Sequence, residues 1–219
     1  MSIYLGNTEI GQIYLGNTEI SEAYLGSTKV FENNPTPPPY DAEIEYLGCT
    51  GTQHINTGYY GNLNSRFEVK FKGTATPKYI YGYRGTNTNS ITLYNQASSG
   101  NCRFGNKTVS PTFSTGVDYT ATQDKTALVL NGTSYAYNAT TDFATSEPIY
   151  LMWGSGNQAS GYHFQGNIFY FKVYDNGSLV LDMIPVRVGT TGYMYDIVSG
   201  QLFGNAGTGV FILGNDKNT

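Results

Sequence analysis

Six stretches of this chain alternate apolar and polar side chains with a period of two, and no stretch of similar length carries the three-to-four spacing of a helical stripe. They are RFEVKFKG (Arg66–Gly73), KYIYGYR (Lys78–Arg84), SITLYN (Ser90–Asn95), TALVLNGTSYAY (Thr126–Tyr137), PIYLMW (Pro148–Trp153) and NIFYFKVYDNGSLVLDMIPV (Asn167–Val186). Asn131-Gly132 and Asn176-Gly177 interrupt two of them between apolar runs. A two-residue type I′ hairpin turn needs positive φ at both central positions, which Asn and Gly accept most readily, so both sites predict hairpins. Many short strands without intervening helices predict an all-β, antiparallel sandwich rather than a parallel α/β sheet. Composition agrees: only 13% of the residues are charged, against about 25% in an average domain, while 20 Tyr, 11 Phe and 27 Gly enrich the chain in strand and turn formers. The 219 residues fit one main domain of this class.

The first thirty residues carry a second pattern, three near-copies at a period of ten: IYLGNTEI from Ile3, IYLGNTEI from Ile13 and AYLGSTKV from Ala23. Each copy reads as a short strand, a Gly-Asn-Thr or Gly-Ser-Thr turn, and a second short strand ending at Ile10, Ile20 or Val30. A segment of this size cannot bury its own surface, yet Ile3, Leu5, Ile13, Leu15, Leu25 and Val30 are too apolar for a solvated tail. Those six residues are therefore expected to pack on the chain's own larger domain, or to attach it to identical copies or a host particle. The four prolines of NNPTPPP (Asn33–Pro39) lack ladder donors and favour polyproline II, which reads as a semi-rigid spacer. The expected organisation is a β-repeat module over 1–32, a spacer over 33–40 and a sandwich domain over 41–219.

TALVLNGTSY, then PIYLMW, then FQGNIFYFKVYDNGSLV resemble the concanavalin A-like, laminin-G-like jelly-roll superfamily, in which a strand ending in Asn-Gly is followed later by a Gly-led strand of the type GxIxxFxVYDNG. YLGCTGTQHINTGYY (Tyr46–Tyr60) and IPVRVGTTGYMYDIVSGQLFGNAGTGVFILG (Ile184–Gly214) are similar to the opening and closing segments of a laminin-G-like subgroup found in proteins of gut bacteria and their phages. The resemblance spans roughly Glu43 to Gly214, and the YLGxT repeats resemble segments that accompany such domains in phage structural proteins. It implies a jelly roll displayed on a virion, as a head or tail fibre or decoration subunit.

Charge and chemistry narrow the function. A net charge of -4 lacks the cationic excess that binding nucleic acid or an anionic membrane surface requires. No apolar run reaches the roughly 18 residues of a membrane span, and the start MSIYLGNTEI has neither a basic nor an apolar leader region, so a soluble, leaderless chain is expected. Cys49 and Cys102 read as reduced, small apolar residues, and the sequons at Asn106, Asn131, Asn138 and Asn176 as turns. Asp41, Glu43 and Glu45 would share one side of a strand, the spacing a retaining glycosidase exploits, but at a domain edge such charges guard an unpaired strand. No nucleophile elbow surrounds His54 or His163, and GSGNQASG (Gly154–Gly161) reads as a loop lacking the donors of a phosphate cradle. No cofactor is expected; a calcium site of Asp and Asn oxygens remains open, although Asp118, Asp124, Asp142 and Asp196 are scattered.

A carbohydrate site needs only an aromatic face, a few amide or hydroxyl groups and an Arg on a rigid sandwich. Trp153 with Asn157, Gln158, Tyr162 and His163 supplies these within one stretch, and Arg84 adds a cation. Trp153 also reads as core, at the end of a strand. The expectation is a non-enzymatic virion structural protein whose repeats attach it and whose sandwich faces host-surface polysaccharide. It assembles with other virion proteins as a homo-oligomer, a trimer by analogy with fibres. The alternatives are a stand-alone carbohydrate-binding module and a glycoside hydrolase.

Overall fold

The structure is a computed structural model that describes residues 3–5, 8–10, 13–15, 18–20, 22–25, 27–32, 37–76, 78–85, 88–95, 102–156 and 162–217. The chain is all-β: among these residues every regular element is a strand. It divides into two compact units, Met1–Pro38 and Pro39–Thr219.

The first unit holds three two-stranded antiparallel hairpins, one for each repeat. β1 (Ile3–Leu5) pairs β2 (Thr8–Ile10), and β3 (Ile13–Leu15) pairs β4 (Thr18–Ile20) in the same register, Leu5 facing Thr8 as Leu15 faces Thr18. β5 (Glu22–Leu25) and β6 (Thr28–Glu32) keep the Leu25–Thr28 pair but shift register between Ala23 and Tyr24, where Phe31 rather than Val30 faces Ala23. The third hairpin therefore runs past the expected end at Val30, to Glu32.

The second unit contains eighteen strands among the described residues: β7 (Ala42–Glu43), β8 (Leu47–Thr50), β9 (Ile55–Asn56), β10 (Ser65–Gly73), β11 (Lys78–Arg84), β12 (Ser90–Asn95), β13 (Cys102–Gly105), β14 (Lys107–Val109), β15 (Asp118–Gln123), β16 (Ala127–Leu130), β17 (Thr133–Ala136), β18 (Tyr150–Leu151), β19 (Gly154–Gly156), β20 (Gln165–Asp175), β21 (Ser178–Val188), β22 (Thr191–Asp196), β23 (Gln201–Phe203) and β24 (Ile212–Leu213). The larger sheet runs β17-β16-β15-β10-β20-β21-β22-β23, with β8 on β20, β24 on β8 and β7 on β21. The smaller runs β14-β13-β12-β11-β18-β9, with β19 also on β11.

Alternation explains why the two sheets face each other. In β10, Phe67, Val69 and Phe71 are buried while Arg66, Glu68, Lys70 and Lys72 are half-buried on the opposite face. From the smaller sheet, Tyr81 of β11 stacks on Phe67 at 5.2 Å between ring centroids and lies 5.3 Å from Phe171 of β20. Each such aromatic contributes about 1.5–3 kcal/mol by leaving water. Gln123 of β15 is fully buried at this junction: the Tyr81 hydroxyl donates to its Oε1 (2.6 Å), and its Nε2 donates to the Tyr137 hydroxyl (2.7 Å) and the Arg103 carbonyl (3.1 Å).

Both predicted hairpins form. Asn131 (φ 46°) and Gly132 (φ 82°) link β16 to β17, and Asn176 (φ 49°) and Gly177 (φ 82°) link β20 to β21, each as a two-residue turn. Two sequence expectations need correction. PIYLMW is strand only at Tyr150–Leu151, because Met152 takes φ 69° and breaks the run. The segment read as a Gly-rich loop begins with a strand, Gly154–Gly156, which pairs parallel with Gly82–Arg84, whereas the other strand pairs among the described residues are antiparallel. Glycine carries no strand-forming side chain, so only that tertiary pairing reveals it.

Candidate functional site

β18 lies between β11 and β9, with Leu151 opposite both Tyr81 and Ile55. Leu151 and Ile55 are fully buried, so their neighbours Tyr150 and Asn56 occupy the outer face of the smaller sheet. The positive φ at Met152 then drives that residue into the core, where its amide donates to the Ile80 carbonyl at 2.7 Å. Trp153 is thereby excluded from the core and left half-buried outside it. The chain returns at Tyr162–His163, where the Tyr79 amide donates to the Tyr162 carbonyl (2.9 Å) and His163 bridges Tyr79.

Four rings converge there. The His163 imidazole stacks on Trp153 at 5.1 Å and 8°, His54 lies 4.9 Å from Trp153 and 5.3 Å from His163, and Tyr150 meets Trp153 edge-on at 5.3 Å. Trp153 Nε1, His54 Nδ1 and His163 Nδ1 are buried without a hydrogen-bond partner among the described residues. Burial, and secondarily the neighbouring His163, holds the His54 imidazole below its ordinary pKa. Burial does the same to His163, helped by the Lys78 ammonium and opposed by a hydrogen bond to the Gln53 backbone. The cluster thus favours neutral imidazoles.

Tyr79 joins this cluster to a second one. Its ring lies 4.3 Å from Tyr94 and 6.4 Å from Tyr162, which is 37% exposed. Tyr79 also packs against the backbone of Gly154, where a Cβ would stand 3.1 Å from the ring. Ile91, Leu93, Cys102 and Phe104 point into the core, so Ser90, Thr92 and Tyr94 of β12 and Arg103 of β13 occupy the outer face. Tyr81 and Tyr83 of β11 likewise leave Gly82 and Arg84 outward. The outer face therefore carries rings with unsatisfied nitrogens beside two guanidinium groups. A pyranose ring stacks its C–H face on such rings.

No family model matches this chain, and no curated protein matches its sequence.

Of the residues singled out from sequence, Trp153, Tyr162 and Arg84 share this outer face, whereas Asn157 and Gln158 lie outside the described residues. The reading of Trp153 as core is corrected: its ring rests on histidines rather than among the buried apolar side chains. His54, Tyr79, Tyr94, Arg103 and Tyr150 were not foreseen as parts of a site with them. For Tyr79, Tyr94 and Arg103 the signal was an aromatic or cation at the outward parity of KYIYGYR, SITLYN and CRFG, which needs the register to interpret, while His54 and Tyr150 join through the pairing of Ile55 with Leu151. For Ile3, Leu5, Ile13, Leu15, Leu25 and Val30 the strand positions are described and the side chains are not.

The acidic trio at the domain edge is engaged in structural contacts. Asp41 accepts from the Gly189 amide (2.6 Å), Glu43 pairs with Lys217 (3.5 Å), and Glu45 accepts from Asn215 (3.1 Å). Cys49 and Cys102 are free and buried, and burial pushes both thiols up to about 12. Among the described residues, no group of three or more His, Cys, Asp or Glu side chains is placed to hold a metal ion. A groove on the outer side of the larger sheet gathers Lys70, Lys72 and Lys217 with Phe169, but Lys70 sits over the Phe169 ring and the other two pair with Asp118 and Glu43.

Proposed function

We propose that the chain is a non-enzymatic structural protein of a virus particle, a fibre or decoration subunit that fastens through its N-terminal hairpins and presents a concanavalin A-like jelly roll to host-surface glycans. The observation that carries the glycan reading is the half-buried stack of Trp153 and His163, joined by His54, on the outer face of the smaller sheet. An aromatic stack on the outer face of a rigid sheet offers the apolar platform on which the C–H face of a sugar ring packs. The virion assignment draws on the sequence resemblance and on the order of hairpins, prolines and sandwich. The structural contacts of Asp41, Glu43 and Glu45 support the non-enzymatic reading over a glycoside hydrolase.

Retention of the full chain on immobilised bacterial surface polysaccharides tests the proposal. Wild type is expected to bind, and Trp153→Ala or Tyr162→Ala to weaken binding about tenfold or more, as loss of a central aromatic contact does, while the circular dichroism spectrum stays unchanged. Loss of the fold in Trp153→Ala, with Tyr162→Ala binding normally, would overturn it.

A further inference from the structure

The outer face of the smaller sheet carries a charge arrangement that a neutral sugar leaves unused. Pairing puts Gly82, Thr92 and Arg103 in one row across β11, β12 and β13, and Arg84 stands two residues along β11 from that row, on the same face. Gly82 contributes no side chain to this floor, and Gly154 beside it contributes none. Both guanidinium groups lie near the Tyr79 hydroxyl and favour its ionised form, although burial still carries Tyr79 up to about 12. They also repel each other: burial, then Arg84, lowers the pKa of Arg103.

Five other cations of the second unit are paired with carboxylates among the described residues, while Lys70 lies over the Phe169 ring and Lys125 donates to Asn64. Arg66 pairs with Glu68, Lys72 with Asp118, Lys172 with Asp182, Arg187 with Asp41 and Asp216, and Lys217 with Glu43. Arg84 has no such pair among the described residues, and its Nη1 is buried without a hydrogen-bond partner. Glu147 is on the neighbouring segment, but its carboxylate accepts from the Gly156 amide at 3.1 Å. An anion at the Arg84 guanidinium would also be attracted by the Arg103 guanidinium nearby, and a guanidinium fork suits a planar carboxylate.

We infer, building on the glycan reading above, that the glycan is acidic and that its carboxylate is taken between Arg84 and Arg103 beside the Tyr79 hydroxyl, while the sugar ring meets the neighbouring aromatic cluster.

The test titrates the full chain with oligogalacturonate, oligoalginate and sialyllactose, each beside its carboxyl-reduced counterpart, and with a heparin-derived sulfated oligosaccharide. At least one carboxylated probe is expected to bind about tenfold or more tighter than its reduced form, in line with hydrogen bonds to a charged group. R84Q and R103Q should each erase that preference, with R84K keeping part of it and the melting temperature unchanged. Equal binding of acidic and reduced forms, still lost in Trp153→Ala, would overturn the inference and leave the glycan reading standing. Preference for the sulfated probe over every carboxylated one would overturn the carboxylate assignment. Failure of every acidic, reduced and neutral glycan to bind would remove both.

Discussion

At the scale of single residues, His54 and His163 show how burial and proximity set a charge state. Their rings are 5.3 Å apart, and protonating either would put a cation in a half-buried site next to a second imidazole, with the Lys78 ammonium adding to the repulsion at His163. Each folded-state pKa lies below its ordinary value, so between the two values the unfolded chain binds more protons than the folded one. The stability these residues contribute is complete above the ordinary histidine value of 6.5 and is lost as pH falls through the window beneath it. Melting temperature is therefore expected to drop between about pH 7 and pH 5. The double variant His54→Gln, His163→Gln should flatten that drop; an equally steep drop in the variant would assign it to other groups.

At the scale of elements, pairing geometry decides what each glycine does. Gly132 and Gly177 occupy hairpin turns where an added Cβ would meet nothing within 4 Å, so Gly177→Ala carries only the left-handed penalty of about 1–2 kcal/mol. Gly82 is different. It takes φ 152°, and a Cβ there would sit 2.4 Å from the Ile91 carbonyl oxygen and 2.8 Å from Thr92 Cα. Gly82→Ala must push β12 away from β11, with a cost expected to exceed that of Gly177→Ala by about 1 kcal/mol or more. Chemical denaturation of the two variants checks the order, and equal midpoints would contradict it. The same contrast marks what the sequence made legible. Asn131-Gly132 and Asn176-Gly177 announce their turns locally, and RFEVKFKG announces its buried face through Phe67, Val69 and Phe71. Gly82 and Gly154–Gly156 announce nothing, since their role is to let backbone and the Tyr79 ring approach. The candidate site was half legible for a related reason. Trp153, Tyr162 and Arg84 stand out by type, but His54, Tyr79, Tyr94 and Arg103 reach them only through the register of four strands, which no local pattern encodes.

At the scale of the whole molecule, the two units have unequal means of support. Residues 39–219 contain two sheets around a shared aromatic core, including Phe67, Tyr81 and Phe171. Residues 1–38 contain three separate two-stranded sheets, and an isolated two-stranded hairpin is marginal in water. A two-stranded sheet on its own presents unpaired N–H and C=O groups at its edges, which identical neighbours in a closed ring can satisfy. Leu5, Leu15 and Leu25 occupy equivalent places, each opposite a threonine at the end of its hairpin. If these hairpins are what joins copies of the chain, the full-length protein is expected to run as a homo-oligomer, three-fold if it follows fibres of similar design. A chain beginning at Pro39 should run as a folded monomer. Replacing Leu5, Leu15 and Leu25 together by Glu should likewise release monomers, because three added carboxylates per copy would repel those of joined copies, while the melting of residues 39–219 stays where it was. Native mass measurement and light scattering over a concentration series read both outcomes. A full-length chain that stays monomeric at high concentration, with its first thirty residues protected from protease, would show instead that the hairpins pack on their own sandwich.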